Sequence, residues 1–95
     1  MDEAVRLLTE VTYNRLSEER ANVAYMWRNT GKNSYYGKWA MCLSVARELE
    51  ESVYSEGYEF VATGTKVKGE VQSDVYSLMK VNKISPSVTD TLEWR

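Results

Sequence analysis

The chain has 95 residues, enough for one domain and too few to sustain a large internal cavity. Twelve basic and 14 acidic residues leave a formal charge of −2, short of an acidic DNA mimic and without the basic surplus of most DNA-binding domains. There is no histidine and one cysteine, Cys42, which excludes Ser–His and Cys–His nucleophilic machinery, an intramolecular disulfide and a cysteine-built zinc framework.

These absences point away from catalysis, so the expectation is a protein that is not an enzyme and has no catalytic residues, cofactor or metal. No apolar run approaches the roughly 20 residues of a membrane-spanning helix. Asp2 and Glu3 carry the wrong charge for a secretory or mitochondrial signal. A lone cysteine fits a reducing compartment. Together these lead to the expectation of a soluble, cytoplasmic protein with no membrane partner.

Residues 2 to about 29 carry a helical pattern. Val5, Leu8, Thr12, Leu16, Val23 and Trp27 recur at three- and four-residue steps, with a gap across Ser17–Arg20. A restart with Ser17 as N-cap is the alternative, but one long helix is favoured. Asp2 and Glu3 suit the positive end of its dipole.

Asn29-Thr30-Gly31-Lys32-Asn33-Ser34 is a connector in which Gly31 takes a positive φ and Asn33 or Ser34 caps the next helix. That second helix is expected from about Ser34 to Ser55. Its apolar stripe is Trp39, Cys42, Val45, Ala46, Leu49 and Val53, and Gly57 follows its end. Two long amphipathic helices across a short connector make an antiparallel αα-hairpin.

The pattern then shifts toward β-structure. Tyr58–Thr63 reads as a short strand, Thr63-Gly64-Thr65 as a turn, Lys66–Gln72 as a second strand, and Ser73-Asp74 as another turn. Val75–Ile84 fits a third strand, with Tyr76, Leu78 and Ile84 on one face and Val75, Met79 and Val81 on the other. It equally fits a helix capped by Ser73. Val88, Leu92 and Trp94, beyond Pro86, fit an edge strand. The expected fold is α+β in a single domain, residues 1–95. An N-terminal antiparallel αα-hairpin (about 2–56) precedes a small antiparallel β-sheet of two to four strands (about 58–95). Sheet edges and a long two-helix layer favour self-association, most simply as a dimer.

Charge is sorted along the chain. Between Glu19 and Glu48 there is no acidic residue, while Arg20, Arg28, Lys32, Lys38 and Arg47 alternate with Tyr25, Trp27, Tyr35, Tyr36 and Trp39. Arginine and aromatic side chains dominate binding hot spots, and the same mixture stacks on bases and neutralises phosphates. The candidate partner-binding residues are Trp27, Arg28, Lys32, Tyr35, Tyr36, Lys38 and Trp39. The simpler competing account packs Trp27 against Trp39 to lock the connector and leaves the lysines solvated.

These residues lead to a non-catalytic binding module that regulates or inhibits a protein partner. The first alternative is a nucleotide or nucleic-acid binder using the same block. A phosphate-binding loop at Gly31–Trp39 fails, because five residues separate Gly31 from Gly37 and Trp39 replaces the required hydroxyl. The second alternative is a DNA-binding segment at 73–95. There Leu78, Met79, Val81 and Ile84, then Ser85-Pro86-Ser87-Val88 and Leu92, resemble a helix-turn-helix core. Glu48, Glu50, Glu51, Glu56 and Glu59 read as a solvated acidic face, and Cys42 as a small core residue.

Overall fold

A computed structural model of the chain describes residues 1–81. Two helices, α1 (Glu3–Thr30) and α2 (Asn33–Tyr54), are followed by two antiparallel strands, β1 (Tyr58–Lys68) and β2 (Val71–Lys80). The architecture is α+β with an N-terminal helical hairpin and one sheet.

Helix α1 runs unbroken across Ser17. Asp2 caps it, its carboxylate accepting from the Val5 amide at 2.9 Å. Gly31 ends it at φ 71°, donating to the Trp27 carbonyl at 2.7 Å. Only glycine takes this left-handed conformation without strain. At the start of α2 the chain departs from expectation. Lys32, not Asn33 or Ser34, holds the N-cap position, and no side chain caps it.

The strands are longer than the sequence pattern implies. Thr63-Gly64-Thr65 is not a turn. Ala62 pairs with Tyr76 and Gly64 with Val75, so Thr63 is the extra residue of a β-bulge within β1. The reversal falls at Gly69-Glu70, where Gly69 has φ 65°. Ser73 and Asp74 lie inside β2, opposite Lys66 and Thr65. Tyr76 and Leu78 share one face and Val75 and Met79 the other, as the alternation predicts. Residues 73–80 being strand, the apolar first helix of the helix-turn-helix reading is absent at Leu78 and Met79. Its second helix, and the edge strand proposed at Val88, Leu92 and Trp94, lie outside the described residues.

The sheet meets α1 along one edge. Arg6, Glu10, Asn14 and Ser17, spaced four, four and three residues apart, fall on one side of the helix. Each bonds the β2 backbone. The Asn14 amide nitrogen donates to the Tyr76 carbonyl at 2.9 Å, and its oxygen accepts from the Tyr76 amide at 2.7 Å. Glu10 accepts from the Leu78 amide at 2.8 Å, Arg6 donates to the Leu78 carbonyl at 3.4 Å, and Ser17 donates to the Asp74 carbonyl at 2.8 Å. These are the groups of β2 that point away from β1. Four helical side chains thus take the place of a third strand.

This arrangement overturns the expected core stripe of α1. Val5, Leu8 and Thr12 are exposed, Trp27 is 40% exposed, and only Val23 of the six is buried. The first half of the helix turns its polar side to the sheet because the sheet presents unpaired amides and carbonyls there. The core centres on Tyr13. Its ring lies flat on Phe60 at 3.7 Å between centroids and takes Tyr76 edge-on at 5.0 Å. Its hydroxyl donates to Glu50 of α2, so one side chain ties both helices to both strands. Ala46, Val53 and Leu78 complete the buried set with Val23, while Val45 of the expected α2 stripe is 45% exposed.

Two outcomes test this packing. Asn14→Ala leaves both polar groups of Tyr76 unpaired in a partly buried place, at a cost of about 2 kcal/mol in urea unfolding. Val5→Ala on the exposed side changes stability by less than about 0.5 kcal/mol. Burial and the bond to Glu50 raise the Tyr13 phenol above its ordinary value. The unfolded phenol ionises near pH 10. The stability tied to this proton is therefore complete below about pH 10 and declines as pH rises toward the folded value. Tyr13→Phe should flatten that alkaline decline.

Candidate functional site

The acid-free block folds into the tip of the helical hairpin: the last turns of α1, the Gly31 connector and the first turns of α2. Trp27 comes from α1; Tyr36 and Trp39 lie three residues apart on α2, one above the other. Tyr36 sits between the tryptophans, 5.7 Å from Trp27 with the rings tilted by 48°, and 5.8 Å from Trp39 with the rings within 28° of parallel. Trp27 and Trp39 therefore join through Tyr36 instead of packing directly on each other. The cluster is not core: Trp27 is 40% and Tyr36 53% exposed, and Trp39 is half-buried.

The cations surround this shelf. Arg28, Lys32 and Lys38 are exposed and form no ion pair among the described residues. The Lys38 ammonium lies 5.7 Å from the centre of the half-buried Tyr35 ring, within cation–π range. The uncapped N-terminus of α2, with no acidic residue in its first turn, adds the positive end of a helix dipole at the same place. All seven sequence-derived site residues thus fall at one end of the molecule: Trp27–Tyr36–Trp39 form a ring cluster and Tyr35–Lys38 a pair, while the Arg28 and Lys32 side chains form no hydrogen bond or ion pair among the described residues.

Arg20 was not among the candidates, yet the fold gives it an unusual position. Its guanidinium lies 6.0 Å from the Tyr13 ring centre, in a recess shared with Ser17, Trp39 and Tyr76. Its Nη1 is buried with no hydrogen-bond partner among the described residues. The ring face offsets part of the lost hydration. The sequence signal was available: Arg20 stands three residues after Ser17 and seven after Tyr13, on the sheet-facing side of α1.

The remaining chemistry-bearing groups stay apart. Glu48, Glu50, Glu51, Glu56 and Glu59 are all exposed, and of these Glu50 is drawn inward only by the Tyr13 hydroxyl. Among the described residues, no three His, Cys, Asp or Glu side chains converge as a metal site. Cys42 is half-buried, and desolvation, with Glu19 nearby, raises its thiol above the ordinary value. A raised thiol carries less thiolate at neutral pH and is a poor nucleophile. No described helix is long and apolar enough to cross a membrane. Compared with protein-family models, curated proteins and solved structures, the chain matches none.

The two halves of the cluster respond differently to truncation. Tyr36→Ala removes both of its ring contacts and costs about 1–2 kcal/mol in thermal or urea unfolding. Lys38→Ala changes stability by less than about 0.5 kcal/mol, because a solvent-exposed cation over a ring contributes little.

Proposed function

We propose that the chain is a small binding module that regulates or inhibits a protein partner through the tip of its helical hairpin. The observation that carries this reading is the exposed Trp27–Tyr36–Trp39 shelf ringed by Arg28, Lys32 and Lys38, which form no ion pair among the described residues. Large side chains held stiffly by one another lose little entropy when a partner covers them, and such residues concentrate binding energy. The charge around them favours an acidic surface on the partner and speeds encounter with it.

Binding to a nucleotide or nucleic acid is the second reading, favoured by the same cations. It fits the rings less well. Base stacking needs open ring faces, and here Tyr36 spends its ring on both tryptophans, while Lys38 lies over Tyr35.

The two readings separate in one experiment. The protein is used as bait in a lysate of its native source, with and without nuclease, beside the double variant Arg28→Glu, Lys32→Glu. Neither side chain forms a hydrogen bond or ion pair among the described residues, so the variant should melt within a few degrees of the wild type. The expected result is a protein captured equally with and without nuclease and lost with the double variant. Capture that disappears on nuclease treatment, and falls steeply with added salt, would favour the nucleic-acid reading instead.

A further inference from the structure

The two edges of the sheet are treated unequally. On β2, the outward groups of Asp74, Tyr76 and Leu78 are taken by Arg6, Glu10, Asn14 and Ser17. That assignment fixes the ladder. Ser73, Val75, Ser77 and Met79 must bond toward β1, so in β1 it is Tyr58, Phe60, Ala62, Thr65 and Val67 whose amides and carbonyls point away. Among the described residues, no backbone or side-chain group bonds to any of them. From Ala62 to Lys68 the strand is exposed throughout, with Val67 67% exposed. A row of unpaired groups on an open strand is a template for another strand.

The charges of β1 specify which strand. Glu59 stands near its start, and Lys66 and Lys68 at its end. Register places all three on the face away from Tyr13, opposite Met79, Ser73 and Val71. A parallel neighbour of the same sequence sets like charges together. An antiparallel one brings Glu59 to the lysine end of its neighbour, and two-fold symmetry makes the match twice.

We propose that the open edge of β1 pairs antiparallel with β1 of a second copy, joining two hairpins into a four-stranded sheet. The register that serves best sets Glu59 against Lys68 of the second copy, since Lys66 already engages Glu18 at 3.4 Å. The same register sets Phe60 against Val67 and Ala62 against Thr65, all of them residues whose backbone groups point outward and whose side chains share the face that carries Tyr76 and Leu78. Val67 then reaches the partly open surface formed by Phe60 and Tyr54 of its neighbour, where Tyr54 is 65% exposed. The bulge at Thr63 falls at the two-fold axis in both strands, so the spacing on either side remains equal. Lysines on an edge repel most strands; Glu59 makes this edge acceptable to its own copy, which is selection as well as attraction.

The dimer does not depend on the function proposed for the helical tip, and its test reads mass alone. The full chain is examined by sedimentation equilibrium at high micromolar concentration, with melting temperature as the control of folding. The wild type should be a dimer. Thr65→Pro removes an outward amide that the hairpin itself does not use, a place where edge strands accept proline, and should give a folded monomer. Glu59→Lys should raise the dimer dissociation constant roughly ten-fold through two repulsive contacts, and adding Lys68→Glu should restore it. A monomeric wild type, a dimer that survives Thr65→Pro, or a charge reversal that fails to restore association would overturn the proposal. A monomeric wild type destabilised by Thr65→Pro would mean that the chain uses this edge itself, and would overturn it equally.

Discussion

The structure depends on four polar side chains of one helix standing in for a β-strand. A two-stranded hairpin is marginal in water, and here its β2 edge lies against the long helix α1. Buried amides and carbonyls must find partners. Arg6, Glu10, Asn14 and Ser17 supply them, and Asn14 does so in both directions, as donor and as acceptor. With the edge bound, α1 lies along the strand instead of across it. Tyr13, on the same side of the helix, is then delivered onto Phe60 and Tyr76. The stacked core follows from the edge contact, and α2 joins it through Glu50, Ala46 and Val53.

Much of the element order was legible because it rests on local chemistry. Gly31 and Gly57 both adopt positive φ where the helical patterns stop, and the switch to alternating residues after Gly57 marks the strands. What was not legible is tertiary. Periodicity assigns the apolar side of α1 to the core, yet Val5, Leu8 and Val11 are about half or more exposed because the sheet edge requires polar partners. The Arg6–Glu10–Asn14–Ser17 stripe has a helical period of its own, but it gains meaning only once β2 is beside it. The turn was misplaced for a related reason. Thr63-Gly64-Thr65 has the composition of a reversal, and the bulge absorbs it, while Gly69-Glu70 lacks the stronger Asn-Gly or Asp-Gly signal and carries only the glycine-first pattern of a two-residue turn.

The candidate site was more legible than the core. Charge sorting picked out seven residues that all fall at the hairpin tip, five of them in ring contacts. The pairings among them depend on helix geometry at the connector, which places Tyr36 between Trp27 and Trp39 and turns Tyr35 toward Lys38. The tip and the β1 edge then follow one logic. The fold satisfies its own needs with one side of α1 and the Tyr13 cluster, and among the described residues it leaves two surfaces open: cations without an ion pair around a ring cluster at one, backbone amides and carbonyls without a partner at the other.

The most direct measurement of the central claim is hydrogen exchange at the Tyr76 and Leu78 amides of the native protein. These point away from β1 and, among the described residues, have no strand beside them. If Asn14 and Glu10 hold them, both should exchange as slowly as the ladder amide of Ser77. Free exchange at Tyr76 and Leu78 while Ser77 stays protected would contradict the account, because the β2 edge would then be open and α1 would be held there by something else.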